Sequence, residues 1–230
     1  KRIFRMCMQD EARHVAYGTM HLRYAIDHDP DVADEIHEAL GEDASVVPVT
    51  YMNSAASLKA FVGERGGLVC TSSNADKALG WAFERGEKVL FFPDQHLGRN
   101  TGYTMGIPLD EMVLWNWRLP NGGTTPEQLR RAKIILWQGH CSTHQRFSVE
   151  QIEKARKDFP GINVIVHPEC KWEVVQAADL SGSTEKILKA VTEAPAGSAE
   201  TAATEINTSM YPYISNMYRA GAVVNARGRR

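Results

Sequence analysis

The sequence predicts an α/β fold built from repeated parallel βαβ units, preceded by a helical appendage. Three observations predict it. Short runs rich in Val, Ile and Phe end in polar loops, as in VVPVTYMN (46–53) and ILWQGHC (135–141). Each loop is followed by about three turns of amphipathic helix pattern, the grammar of strands joined by crossover helices. The order strand, loop, helix recurs over 46–98 and again over 133–190.

Residues 1–26 carry helical periodicity, with Phe4, Cys7, Met8, Glu11, His14, Val15, Gly18, Leu22 and Ala25 at three- and four-residue spacing. Asp29-Pro30-Asp31 breaks the pattern, and a short helix from Val32 to Leu40 ends at Gly41. The composition changes at Glu42–Ser45, so 1–44 reads as the appendage.

From Val46 the elements alternate. VVPVTYMN is a strand, and SAASLKAFVGER (54–65) a helix with Ser54 as its expected N-cap. GLVCTSSN (67–74) is strand and loop, and ADKALGWAFERG (75–86) the next helix. KVLFFPDQHLG (88–98) is a third strand with a polar end. Thr101 to Gly123 is looser, and Trp115 and Trp117 are expected to pack between two lobes. TTPEQLRRA (124–132) opens a helix with Thr125 as N-cap and Pro126 at the first helical position. The domains expected are therefore 1–44, an α/β unit at 45–123, a second at 124–207, and a tail at 208–230.

Composition narrows the class. The 230 residues carry 26 basic against 28 acidic side chains, a formal charge of −2. That balance gives no electrostatic case for nucleic acid or an anionic membrane surface. No apolar run is long enough to span a bilayer, and a cytoplasmic protein is expected. The four cysteines, Cys7, Cys70, Cys141 and Cys170, are too few for a disulfide scaffold and form no CxxC pair. Most are expected as buried thiols.

The strand ends carry the chemistry. They read Tyr51-Met52-Asn53, Cys70-Thr71-Ser72-Ser73-Asn74, His140-Cys141-Ser142-Thr143-His144, His167-Pro168-Glu169-Cys170 and Ser181-Gly182-Ser183-Thr184. Ligands gather at the carboxyl ends of parallel strands. Hydroxyls, amides and helix-start N–H groups there suit small carboxylates. His167 and Glu169 lie two apart, so extended backbone turns both side chains to one face, where they can act as general acid and base.

Two resemblances follow. Residues 10–18, DEARHVAYG, resemble the metal-binding helix of ferritin-like di-iron proteins, with Glu11 and His14 as an Glu-x-x-His pair. No second such pair occurs in the chain. Residues 45–207 resemble quinolinate synthase, through VTYMNSAASLKA (49–60), VCTSSNADKAL (69–79), FFPDQHLG (91–98), ILWQGHCSTHQRF (135–147), VIVHPEC (164–170) and AADLSGST (177–184).

That second resemblance implies three-layer αβα units and an enzyme of NAD biosynthesis that condenses iminoaspartate with dihydroxyacetone phosphate to quinolinate. It implies a 4Fe–4S cluster held by three cysteines, with one iron open to substrate. Cys141 matches one cluster ligand; Cys70 and Cys170 match cysteines that are not ligands. Tyr51, Met52, Asn53, Ser72, His167, Pro168, Glu169 and Thr184 match substrate-binding positions, with Tyr51, His167 and Glu169 catalytic.

No cysteine follows the TEIN segment (204–207), and Cys7 lies in no matching motif. One of three expected ligands is present, so cluster binding is expected to be weak or absent and this chain incomplete or inactive. The chain reads as a piece of di-iron helix joined to a quinolinate-synthase-like segment. The alternatives are a non-catalytic α/β module binding small dicarboxylates, and a ferritin-like metal-binding fragment using Glu11 and His14.

Overall fold

The computed structural model describes residues 45–193. The appendage with Cys7, Glu11 and His14, and the TEIN segment with the tail, lie outside these residues. The described chain forms two compact units, the first ending at Ser142 and the second beginning at Thr143.

In the first unit β1 (Val46–Tyr51), β2 (Leu68–Cys70), β3 (Lys88–Phe92), β4 (Met112–Trp115) and β5 (Ile134–Trp137) make one sheet in the order β2-β1-β3-β5-β4. All its pairings are parallel. The helices are α1 (Ala56–Glu64), α2 (Ala75–Phe83), α3 (Gln95–Thr104) and α4 (Pro126–Arg131).

The two-residue alternation of the strands sorts their side chains into two cores. Val89, Phe91, Ile134 and Leu136 pack with Leu79 of α2 and Leu97 of α3. Leu90, Phe92, Ile135 and Trp137 pack with Leu58 and Val62 of α1 and Leu129 of α4. Helices on both faces leave the central strands dry, which explains why β5 and the Val89–Phe92 run of β3 are apolar rather than alternating. Each such buried side chain contributes about 1.5–3 kcal/mol. The arrangement is the three-layer αβα fold that the sequence predicts.

Several local expectations need correction. Ile134–Trp137 reads in the sequence as the head of a second repeat, yet it hydrogen-bonds to both β3 and β4 within the first sheet. The segment read as loose contains the end of α3 and the strand β4. Trp115 does not bridge lobes: it is fully buried in one core, beside Phe92, Leu129 and Ile135. Ser54 does not cap α1, whose N-cap is Ala55. Its hydroxyl is buried and instead accepts from Thr50 at 3.1 Å. Thr125 does cap α4, in a reciprocal capping box with Gln128 and with Pro126 in the first turn.

The second unit holds a two-stranded parallel sheet, β6 (Ile165–Val166) with β7 (Leu180–Ser181). Around it lie α5 (Val149–Asp158), α6 (Trp172–Ala177) and α7 (Thr184–Glu193). Ile152, Cys170 and Val174 form its buried core. Asp179 fixes the strand entry, accepting from the Val164 N–H at 2.7 Å and from Arg156 at 3.0 Å.

Candidate functional site

In the first unit the polar loops follow the carboxyl ends of β1, β2 and β5. The Met52 N–H donates to the Cys70 carbonyl at 2.7 Å, which ties the Tyr51-Met52-Asn53 loop to the loop bearing Ser72. Tyr51 is buried at the tip of β1, and its hydroxyl accepts from Asn53 Nδ2 at 3.4 Å. Asn53 and Ser72 are half-buried, while Met52 is exposed. Thr71 closes its loop by donating from its N–H to Asn74 Oδ1 at 2.6 Å. Four of the candidate residues thus share one edge of the sheet, and Cys141 follows β5 at the same carboxyl edge.

The described cysteines differ sharply. Cys70 and Cys170 are each 1% exposed, and burial pushes the Cys70 thiol up to about 12, against its backbone hydrogen bond. Thiolate is the form that binds metal. Cys141, half-buried in its loop, is the one described thiol with access. A four-iron cluster needs several thiolates. The described residues therefore fit one ligand of such a cluster and do not by themselves complete its site.

In the second unit His167, Pro168 and Glu169 follow β6, and Thr184 opens α7 just beyond β7. His167 and Glu169 are 7% and 5% exposed. The Glu169 carboxylate lies 3.3 Å from His167 Nδ1, and the Glu169 N–H donates to that nitrogen at 3.3 Å. Accepting there leaves the proton of a neutral imidazole on Nε2. The two side chains meet, but through a turn closed by the Cys170 N–H donating to the His167 carbonyl at 3.0 Å rather than through the extended backbone that the spacing suggests. Thr184 is exposed, and the buried residue beside it is Ser183, whose hydroxyl accepts from the Lys186 N–H at 3.4 Å.

A third buried side chain joins the pair. His144 is 7% exposed, its Nδ1 lies 2.9 Å from the Glu169 carboxylate, and its ring stacks on that of His167. The sequence places His144 in a polar loop but carries no signal for its ring partner, which is 23 residues away along the chain. Desolvation by burial, and after it the neighbouring His144, bring the His167 imidazole down from 6.5 to about 4 against the opposing pull of Glu169. His167 is accordingly neutral at physiological pH.

A family model described as Quinolinate synthetase A protein matches residues 23–217. The chain belongs to this family. The quinolinate synthetase A match contains every site residue from Tyr51 to Thr184, and it begins inside the stretch that reads as a helical appendage. Proteins named quinolinate synthase are similar over much of the chain. That of Corynebacterium glutamicum is 59% identical over 177 residues, covering 77% of this chain and 45% of the relative. Those of Acidobacterium capsulatum and Streptomyces coelicolor are 61% and 58% identical, covering 70% and 76% of this chain and 43% and 44% of theirs. The chain thus spans a little under half the length of these quinolinate synthases. Among the described residues no helix is long and apolar enough to cross a membrane.

Proposed function

We propose that this chain carries part of the substrate-handling apparatus of a cytoplasmic quinolinate synthase, which condenses iminoaspartate with dihydroxyacetone phosphate to quinolinate in NAD biosynthesis. The observation that supports it most is the buried group His144, His167 and Glu169, where one carboxylate oxygen stands 2.9 and 3.3 Å from two imidazole nitrogens.

Forming the pyridine ring requires loss of water. Each elimination needs a base to take a proton from carbon and an acid to give one to the departing hydroxyl. In this reading the Glu169 carboxylate is the base, and neutral His167 gives a proton from Nε2. The phenol of Tyr51 is a second donor. The Asn53 amide and the Ser72 and Thr184 hydroxyls hold substrate carboxylates, with Met52 and Pro168 supplying apolar contact.

Cys141 is assigned as one ligand of the family's 4Fe–4S cluster. Such a cluster, when bound, supplies an open iron as a Lewis acid. With a single accessible thiol among the described residues, we expect little cluster to be retained by this chain alone.

Calorimetry with malate, a four-carbon dicarboxylate, tests the assignment. A saturable heat at millimolar ligand, at least several-fold weaker in S72A and in H167A, is expected. No saturable heat in the parent chain, or equal heats in all three, defeats it.

A further inference from the structure

The loop that carries Cys141 has no regular structure, yet its backbone is held at two points by the end of the neighbouring strand. Gln95 donates its N–H to the Gly139 carbonyl at 2.9 Å. The Cys141 N–H donates to Asp94 Oδ2 at 2.9 Å, across 47 residues of chain. Gly139 lies so close to this segment that a Cβ on it would stand 2.1 Å from the Pro93 carbonyl oxygen. Both segments follow adjacent parallel strands, β3 and β5.

Asp94 is 3% exposed, and its two oxygens are divided between two tasks. Oδ1 accepts from the His96 and Leu97 N–H groups, each at 2.8 Å, which is ordinary N-capping of α3. Serine, threonine or asparagine would serve that purpose equally. Oδ2 is turned to Cys141, and that second bond is what requires a carboxylate, since only an ionised Asp offers two acceptor oxygens. Charge-assisted bonds of this kind are the stronger class, and the positive N-terminus of α3 offsets the buried charge.

We propose that Asp94 is a positioning residue for Cys141: one oxygen anchors α3 and the other fixes the backbone from which the thiol projects. This rests on the reading of Cys141 as a metal-ligating thiol. Fixing the amide beside a ligand sulfur sets where that sulfur sits before any metal arrives, so less conformational freedom is lost on binding.

The substitution D94N separates the two tasks. Its remaining oxygen can still cap α3, while its NH2 group presents a donor to the Cys141 N–H. Amide hydrogen exchange read residue by residue is the measurement. Cys141 should exchange about tenfold faster or more in D94N, as expected for loss of a charge-assisted bond. The His96, Leu97, Ile135 and Leu136 amides should keep their protection. Alkylation of Cys141 by iodoacetamide should quicken, with Cys70 and Cys170 still protected. Unchanged exchange and alkylation at Cys141 would overturn the proposal, as would equal loss of protection at Cys141, His96 and Leu97. Should D94N not fold, D94S gives the same comparison, since serine caps well but is too short to reach Cys141. Titration with cadmium, read as thiolate-to-metal absorbance in the parent chain and in C141A, examines the metal reading separately. Equal absorbance in both removes Cys141 as a ligand and leaves the Asp94 coupling to be judged on exchange alone.

Discussion

The ring of His144 lies nearly parallel to that of His167, with centroids 4.5 Å apart and planes 11° from coincidence. Both rings are buried, and both approach the same carboxylate. Two imidazolium ions could not stack in this way without strong repulsion, so the arrangement holds at most one added proton between them. The stack makes the second unit sensitive to acid.

That sensitivity has a definite sign. The folded His167 value is about 4 against an ordinary 6.5. Between those values the unfolded chain binds a proton that the folded chain refuses. Stability contributed by the neutral ring is therefore complete above pH 6.5 and is lost as pH falls towards 4. The full span corresponds to about 3 kcal/mol. Urea midpoints at pH 7 and pH 4.5 should differ accordingly, and H167F should flatten the difference; an equal slope in both proteins counts against it.

Replacing His144 should loosen its neighbours without unfolding the sheet of the first unit. In H144A the Glu169 carboxylate loses the imidazole whose Nδ1 stands 2.9 Å away. A cost of about 1–3 kcal/mol is expected for a buried carboxylate left with fewer polar neighbours. The His167 ring, no longer beside a second imidazole, should titrate at higher pH. NMR of the ring C–H signals reads this directly, and an unmoved inflection refutes the coupling.

Two helix glycines should respond oppositely to alanine. A Cβ at Gly80 of α2 meets nothing within 4 Å, so G80A should stabilise by about 0.5–1 kcal/mol through the backbone. A Cβ at Gly98 of α3 would stand 2.6 Å from Leu136 Cδ2 and 2.7 Å from the Phe91 ring. Overpacking there should cost about 1–3 kcal/mol and outweigh the helical gain. Thermal unfolding of the pair decides the matter; two shifts of the same sign contradict the packing account.

Lys88 closes the end of α4. Its ammonium donates to the Arg130 and Ala132 carbonyls at 2.7 and 2.6 Å, and the residue is 9% exposed. Methionine fills the same stem volume but leaves both carbonyls without that donor. K88M should lower stability by about 1–3 kcal/mol, with faster exchange at Leu129 and Ala132. A denaturation midpoint matching the parent would show that water replaces the ammonium without cost.

The strands β1, β3 and β5 were legible because dry central strands must be apolar, and runs such as Val89 to Phe92 can be little else. Helix α3 was hidden by its own composition. Gly98 and Gly102 lower helix propensity, and the reason they are there, close approach to Phe91, Leu136 and Ile134, lies in other strands. The partners of β5 were illegible for a related reason: pairing with β3 and β4 is set by topology, and Ile134–Trp137 would look the same in any parallel sheet. The site divides similarly. His167 and Glu169 are two apart, so local geometry brings them together. His144 and Asp94 act on residues 23 to 47 positions away, where no spacing rule reaches.

The position of β5 between β3 and β4 has a consequence for how the chain leaves the ribosome. β4 is synthesised before the strand that will be its only neighbour in the sheet. Until residue 137 has emerged, the apolar β3 has one open edge and β4 has no partner at all. Unpaired edges of this kind recruit other chains. The nascent protein therefore carries a hazard of misassociation in the interval between Trp115 and Trp137, and the arrival of Ile134–Trp137 closes it.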